Sequence, residues 1–188
     1  MKLETERLVL RDFVLEDADG LAACRQDERF WRYYEAEDDI EARAREHVAM
    51  FVGWQDAAPR THFQLAVVLK LTRRLIGSCG IRQRPQVSYG VSSPAEADIG
   101  YELDASHWGQ GYATEAVRAI LAFGFGELKL HRVWSFCLAE NEASWRVMER
   151  AGLRREGLLR DNVWLRGRWW DTVVYGILEQ EWAALPQK

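Results

Sequence analysis

The chain has 188 residues, 48% of them hydrophobic and 29% charged, which supports one packed domain and excludes a disordered tail. Its 25 Lys and Arg against 29 Asp and Glu give a formal charge of −4, which argues against a basic nucleic-acid footprint. Nowhere do about 18 apolar residues run together, and Met1 to Arg7 holds no signal-like run, so a soluble, cytoplasmic protein with no membrane partner is expected.

Leu8 to Phe13 alternates and reads as a strand. Asp17 to Gln26 is a short helix with Ala18, Leu21 and Ala22 on one face. In a longer helix, Asp39 to Gln55, Ile40, Ala44, His47, Val48 and Phe51 recur at helical spacing. Phe63 to Leu69 and Leu75 to Ile81 are strands joined by a turn over residues 70–74. Gln83 to Ala95 carries Pro85, Ser88, Gly90, Ser92, Ser93 and Pro94, which is loop chemistry. A fourth strand, Asp98 to Leu103, leads through a glycine-bearing loop into the clearest helix, from Gly111 to Glu127. Arg132 to Leu138 is almost continuously apolar, as a buried fifth strand should be. Asn141 to Ala151 is a helix with Asn141 as its N-cap and Gly152 as its stop. Leu153 to Leu159 and Trp170 to Leu178 are the last strands, on either side of a turn at Arg166-Gly167-Arg168. Strands and helices interleave unevenly, so residues 1–188 should form one mixed α/β (α+β) domain with a ligand at its strand–helix junctions.

Cys24, Cys79 and Cys137 have no Cys-x-x-Cys spacing, so buried thiols are expected rather than disulfides or a metal site. The nine tryptophans suit contact with a ligand or partner, with core filling as the plain alternative.

The chemistry concentrates in Leu103-Asp104-Ala105-Ser106-His107-Trp108-Gly109-Gln110-Gly111-Tyr112-Ala113-Thr114. Its glycines allow a tight turn and a close approach. The free N–H groups and dipole of the helix that follows suit an anion such as a diphosphate. No Lys follows Gly111 and no Gly-x-Gly-x-x-Gly is formed, so this is neither of the common nucleotide loops. The plain reading of the same residues is a flexible helix cap.

Here the sequence resembles the GNAT acyltransferase superfamily, and within it the branch of RimJ/RimL-like N-acetyltransferases. Four segments carry the resemblance in order: Glu4-Thr5-Glu6-Arg7-Leu8-Val9-Leu10-Arg11 with Glu16-Asp17-Ala18; Trp108 to Ala116; Asn141-Glu142-Ala143-Ser144; and Ala151-Gly152-Leu153 with Glu156-Gly157. The resemblance implies a twisted, mostly antiparallel mixed sheet of about seven strands, splayed between the fourth and fifth and flanked by about four helices. Acetyl-CoA as co-substrate, with no metal, would lie in the splay. Its diphosphate would meet Trp108, Gly109, Gln110, Gly111, Tyr112, Ala113 and Thr114, and its arm would meet Leu103, Asp104, Asn141 and Ser144. Trp108 stands where the superfamily usually has Gln or Arg. Met148 stands where many members have a proton-donating Tyr, which makes Ser144 the candidate acid. Val163 stands where some relatives have a Glu base.

Glu102 is the candidate base, because its strand borders the expected splay; a solvated strand face is its plain alternative. His107 is the rival base, but it precedes the phosphate loop, and His47 reads as core or substrate wall. Trp31, Tyr33, Tyr34, Glu35, Trp164 and Trp170 are candidates for binding the acceptor, since rings beside carboxylates suit a cationic amine. The expected activity is transfer of an acetyl group to a primary amine, on a protein N-terminus or a small molecule, by direct attack in a ternary complex. The rival is a non-catalytic CoA-binding sensor or assembly module, motivated by Met148 and Val163. The apolar hairpin leaves monomer and homodimer both open.

Overall fold

A computed structural model describes residues 1–186 apart from 84, 85, 89, 90, 94 and 95, with the two short strands among those residues described as backbone only. In chain order the elements are β1 (Lys2–Glu4), β2 (Leu8–Asp12), α1 (Ala18–Cys24), α2 (Ile40–Gly53), β3 (His62–Leu69), β4 (Leu75–Gln83), β5 (Gln86–Ser88), β6 (Val91–Ser93), β7 (Glu96–Leu103), α3 (Tyr112–Gly126), β8 (Arg132–Leu138), α4 (Glu142–Ala151), β9 (Arg154–Leu165), β10 (Arg168–Leu178) and α5 (Glu179–Ala183). Short 3-10 turns at Phe30–Tyr33 and Ala105–His107 add to these.

One eight-stranded sheet runs β1-β2-β3-β4-β7-β8-β10-β9, and β5 and β6 form a separate pair. Every neighbour in the main sheet is antiparallel except β7 and β8, which are parallel. The mixed, mostly antiparallel architecture expected from the sequence is present. It has one more strand in the main sheet than expected and five helices among the described residues instead of four. Strand β1 is too short for any periodicity to reveal, and β5 and β6 lie inside the stretch read as loop. Strand β9 runs on past Leu159 to Leu165. Asp161 adopts φ +47° and the pairing register slips between Trp170 and Thr172, so a β-bulge carries polar Asp161 and Asn162 through the strand.

The sheet separates two cores. Helices α3 and α4 cover one face, where Ile120, Leu121 and Met148 pack on Leu10, Leu65, Ile81, Val133 and Ile177. Helices α1 and α2 cover the other over β2–β4, with Leu21, Ala44, Val48 and Phe51 on Phe13, Ala66 and Val68. Strand β3 is therefore buried on both faces, which is why residues 63–69 read as an almost unbroken apolar run. Each such side chain removed from water stabilises the fold by roughly 1.5–3 kcal/mol. The caps follow local chemistry: Asp39 Oδ1 accepts from Ala42 N at 2.7 Å to start α2, and Gly152 at φ +106° ends α4. No helix among the described residues is long and apolar enough to cross a membrane.

Candidate active site

Strands β7 and β8 pair only at Glu96–Asp98 against Arg132–Trp134. One further contact, Ser135 Oγ donating to Ile99 O at 2.9 Å, closes the ladder, and beyond it the strands diverge. Asp104 N donates to Ile76 O at 2.8 Å across β4, which sets the alternation of that antiparallel pair. By that alternation the backbone groups of Tyr101 and Leu103 point into the opening. Leu103 thus presents an N–H there, while its carbonyl accepts Trp108 Nε1 at 2.8 Å. Trp108, in the position where Gln or Arg was expected, covers the end of the strand with its indole. The Asp104 N–H, bonded to Ile76, is not free to meet the cofactor arm as the resemblance implied. The Asp104 carboxylate instead caps the following turn by accepting from Ser106 N at 2.9 Å and Ser106 Oγ at 2.8 Å. Burial alone would raise its pKa, but the Ser106 hydrogen bonds and the His107 and Arg74 charges hold it below the ordinary carboxylate value.

The turn delivers the chain to Gly109 at φ +74° and Gly111 at φ +83°, both in the left-handed region that side chains disfavour. Gly111 caps α3, whose first N–H groups face outward without helical partners. The side chains of Tyr112 and Ala113 pack into the core, so these residues offer a ligand their backbone. An acidic residue in that first turn would repel an anion, yet Glu115 is neutralised. It accepts from Thr5 Oγ1 at 2.6 Å, Arg7 N at 2.8 Å and Arg7 Nε at 2.7 Å. Arg7 also donates to Gln110 O at 3.0 Å and lies 4.4 Å over the Tyr112 ring. The opening Thr5-Glu6-Arg7 is therefore a buttress for the loop. Left-handed glycines, unpaired amides and a neutralised carboxylate together fit a diphosphate.

At the other side of the opening lies a cleft of about 590 Å3. Asn141, Ser144, Tyr101 and Cys137 border it from α4, β7 and β8. Asn141 Oδ1 accepts from Ser144 N at 3.2 Å as the cap of α4, which leaves its Nδ2 outside the cap. Ser144 Oγ lies 3.0 Å from the hydroxyl of Tyr101, a residue the sequence reading passed over. Burial pushes the Cys137 thiol up to about 11, so it stays a neutral thiol at neutral pH.

Glu102 faces the cleft from the opposite side of β7, and both of its oxygens are engaged. Arg25 donates to them from Nη2 at 2.7 Å and Nε at 3.3 Å, and Ser78 Oγ donates at 3.1 Å. Arg25 also donates from Nη1 to His47 Nδ1 at 3.0 Å. A guanidinium cannot accept, so the His47 proton sits on Nε2. Burial, then the charges of Arg25 and Arg43, lowers the His47 pKa below its ordinary value and keeps the ring neutral. His107 lies apart, with Nδ1 against Ser106 Oγ at 2.9 Å and the Asp104 carboxylate at 3.3 Å.

Tyr33, Tyr34 and Glu35 line the cleft. Trp31 stands behind it, donating from Nε1 to Arg25 O at 2.7 Å. Trp164 and Trp170 do not line it. Strand alternation turns Trp164 outward, 59% exposed and edge-on to Trp169, while Val163 and Leu165 face in. Trp170 donates from Nε1 to Leu165 O at 2.9 Å and lies under the Arg168 guanidinium. Trp54, unassigned by sequence, lines the cleft against Phe51. Glu35 Oε1 accepts from Arg166 N at 2.9 Å and Tyr34 O from Arg166 Nε at 3.1 Å, so the Phe30–Tyr33 turn and the β9–β10 hairpin form one wall.

A protein-family model described as an acetyltransferase (GNAT) domain matches residues 7–154. The chain belongs to the GNAT acetyltransferase family. It is 32% identical over 182 residues to a Bacillus licheniformis protein named uncharacterized N-acetyltransferase p20, covering 96% of this chain and 98% of that one. The crystal structure of a GNAT-family acetyltransferase from Bacillus anthracis superimposes with a TM-score of 0.80 at 29% identity, covering 96% of this chain and 99% of that one. The microcin C7 self-immunity acetyltransferase MccE, solved with acetyl-CoA and AMP, shares the fold at a TM-score of 0.75 and 19% identity, over 93% of each chain. This acetyltransferase has the mixed α/β fold of its solved relative, and its family membership counts against a non-catalytic module.

Proposed function

We propose that this acetyltransferase uses acetyl-CoA to acetylate a primary amine, by direct attack with both substrates held at once. The observation that carries the reading is the opening between β7 and β8, with the Leu103 N–H, the two-glycine loop and Ser144 Oγ along it. When bound, acetyl-CoA supplies an acetyl group already activated as a thioester. The amides at the start of α3 hold the diphosphate, Asn141 Nδ2 and the Leu103 N–H bind the arm and the acetyl carbonyl, and Ser144 keeps a proton at Oγ for the departing sulfur. Cys137, a neutral thiol, does not compete as a nucleophile, which favours direct attack over an enzyme-bound thioester.

Glu102 acts here as the charge partner of Arg25, and the proton lost by the amine goes to water. Tyr33, Tyr34 and Glu35 at the mouth suit a cationic amine on a bulky body, such as a protein N-terminus or a ring-bearing small molecule. The proposed setting is the cytoplasm.

Calorimetry with acetyl-CoA, followed by thiol release across an amine panel, tests the reading. Binding and turnover are expected; no heat at roughly millimolar acetyl-CoA would overturn it. With no enzyme base, kcat/KM should climb with pH along the acceptor's own ionisation, near 8 for an α-amine and above 10 for a lysine-like amine. A kcat/KM that does not follow the acceptor's own ionisation would restore an enzyme base.

A further inference from the structure

Tyr101 has no part in the scheme above, yet it spans the site. From β7 its hydroxyl crosses beneath the opening to the first turn of α4, 2.7 Å from the Ser144 carbonyl oxygen and 3.0 Å from Ser144 Oγ. A phenol has one proton and two lone pairs. At 2.7 Å the carbonyl oxygen can only accept, so the phenol donates to it and is left as an acceptor toward Ser144 Oγ. The serine O–H then has the Tyr101 oxygen and the Cys137 sulfur as its neighbouring acceptors, and a rotation about Cβ–Oγ is enough to turn it toward the cleft. Burial pushes the phenol's pKa above its ordinary value, so it remains a donor through the working pH range. Ser144 N is fixed at the same time by Asn141 Oδ1 at 3.2 Å, which leaves the hydroxyl torsion as the free variable of that residue. Met148, one turn further along α4, is fully buried and has no proton to give.

We propose that Tyr101 is a positioning residue that holds the Ser144 carbonyl and hydroxyl across the split sheet and thereby sets where the proton for the leaving sulfur waits. The proposal rests on the acetyl-transfer reading. It involves no new bond: Tyr101 keeps its proton and acts through Ser144.

A double-mutant cycle tests it. Ser144→Ala should lower kcat roughly a hundredfold, the low end for a lost proton donor, and Tyr101→Phe roughly tenfold. The double variant should fall no further than Ser144→Ala alone, with KM for acetyl-CoA and its calorimetric affinity within about twofold of the parent in Tyr101→Phe. Denaturant unfolding of the free variants gives a readout without turnover, and the losses of the two single variants should sum to more than that of the double. Independent, multiplying effects on kcat, or a Tyr101→Phe enzyme with parental kcat, would overturn the proposal. If the parent acetylates no amine, the transfer reading fails instead. The unfolding cycle then decides the Tyr101–Ser144 contact by itself, and additive losses there overturn it.

Discussion

The two sides of the opening are built by different means. The proposed diphosphate end is a continuous piece of chain, from Leu103 through the glycines into α3, and it presents backbone. The thioester and acceptor end is assembled from distant segments and presents side chains. Arg25 meets Glu102 across 77 residues of sequence, and Tyr101 meets Ser144 across 43. A backbone site depends on where the chain can bend, whereas a side-chain site depends on which partners the fold brings together. Damage should differ accordingly.

The largest expected effect falls on the acceptor side and is structural. Arg25→Ala leaves the Glu102 carboxylate unpaired where the two side chains are 6% and 14% exposed, and should cost about 3–5 kcal/mol of stability by urea unfolding. Removing both partners should recover much of that loss. If the single variant loses less than about 1 kcal/mol, the pair behaves as a surface contact and the contrast collapses.

Next is Gly111→Asp, which forces a side chain into φ +83° and sets a charge at the proposed anion site. Acetyl-CoA affinity should fall roughly a hundredfold by calorimetry, about 2.7 kcal/mol. Arg7 Nη2, 3.4 Å from the added Cβ, gives little steric obstruction, so Gly111→Ala should show only the smaller backbone part of the effect.

A third test uses acid. Burial raises and hydrogen bonding lowers the pKa of Asp104 and Glu115, and for both the net direction is downward, through Ser106 in one case and Thr5 and Arg7 in the other. Carboxyls held below their unfolded value contribute stability that is complete above about pH 4–5 and is lost as pH falls through the folded value. Both support the cofactor loop, so hydrogen exchange around residues 104–115 should rise on acidification before that of β3. Uniform exchange across the molecule would remove the distinction.

The smallest effect is expected at Trp164. Its ring is outside the cleft, so Trp164→Ser should change kcat/KM less than twofold and stability by roughly 0.5 kcal/mol or less. A large kinetic loss would bring Trp164 back into the acceptor site.

What could be read from sequence follows the same division. Helix α3, its glycine loop and the Asn141 cap are local patterns, and each lies within a residue or two of its expected place. The bulge that carries Asp161 and Asn162 through β9 imitates a turn, so strand pattern alone ended that strand six residues early. Glu102 was recognised as chemically notable, but its partner lies on another helix end and no spacing rule links them. Tyr101 belongs to no local motif, and its partner Ser144 lies 43 residues away. Strand parity already placed Tyr101 on the face opposite Glu102, toward α4.

The Glu35–Arg166 contact has a consequence for how this enzyme could acquire a new acceptor. A substitution that reshapes the Phe30–Tyr33 turn also shifts the β9–β10 hairpin, and the reverse holds. Because Arg166 uses its backbone N–H in one of those contacts, replacing its side chain removes only half of the link. A lineage changing its preferred amine would therefore tend to alter the two segments in pairs, and a loop grafted alone from a relative would arrive without its counterpart.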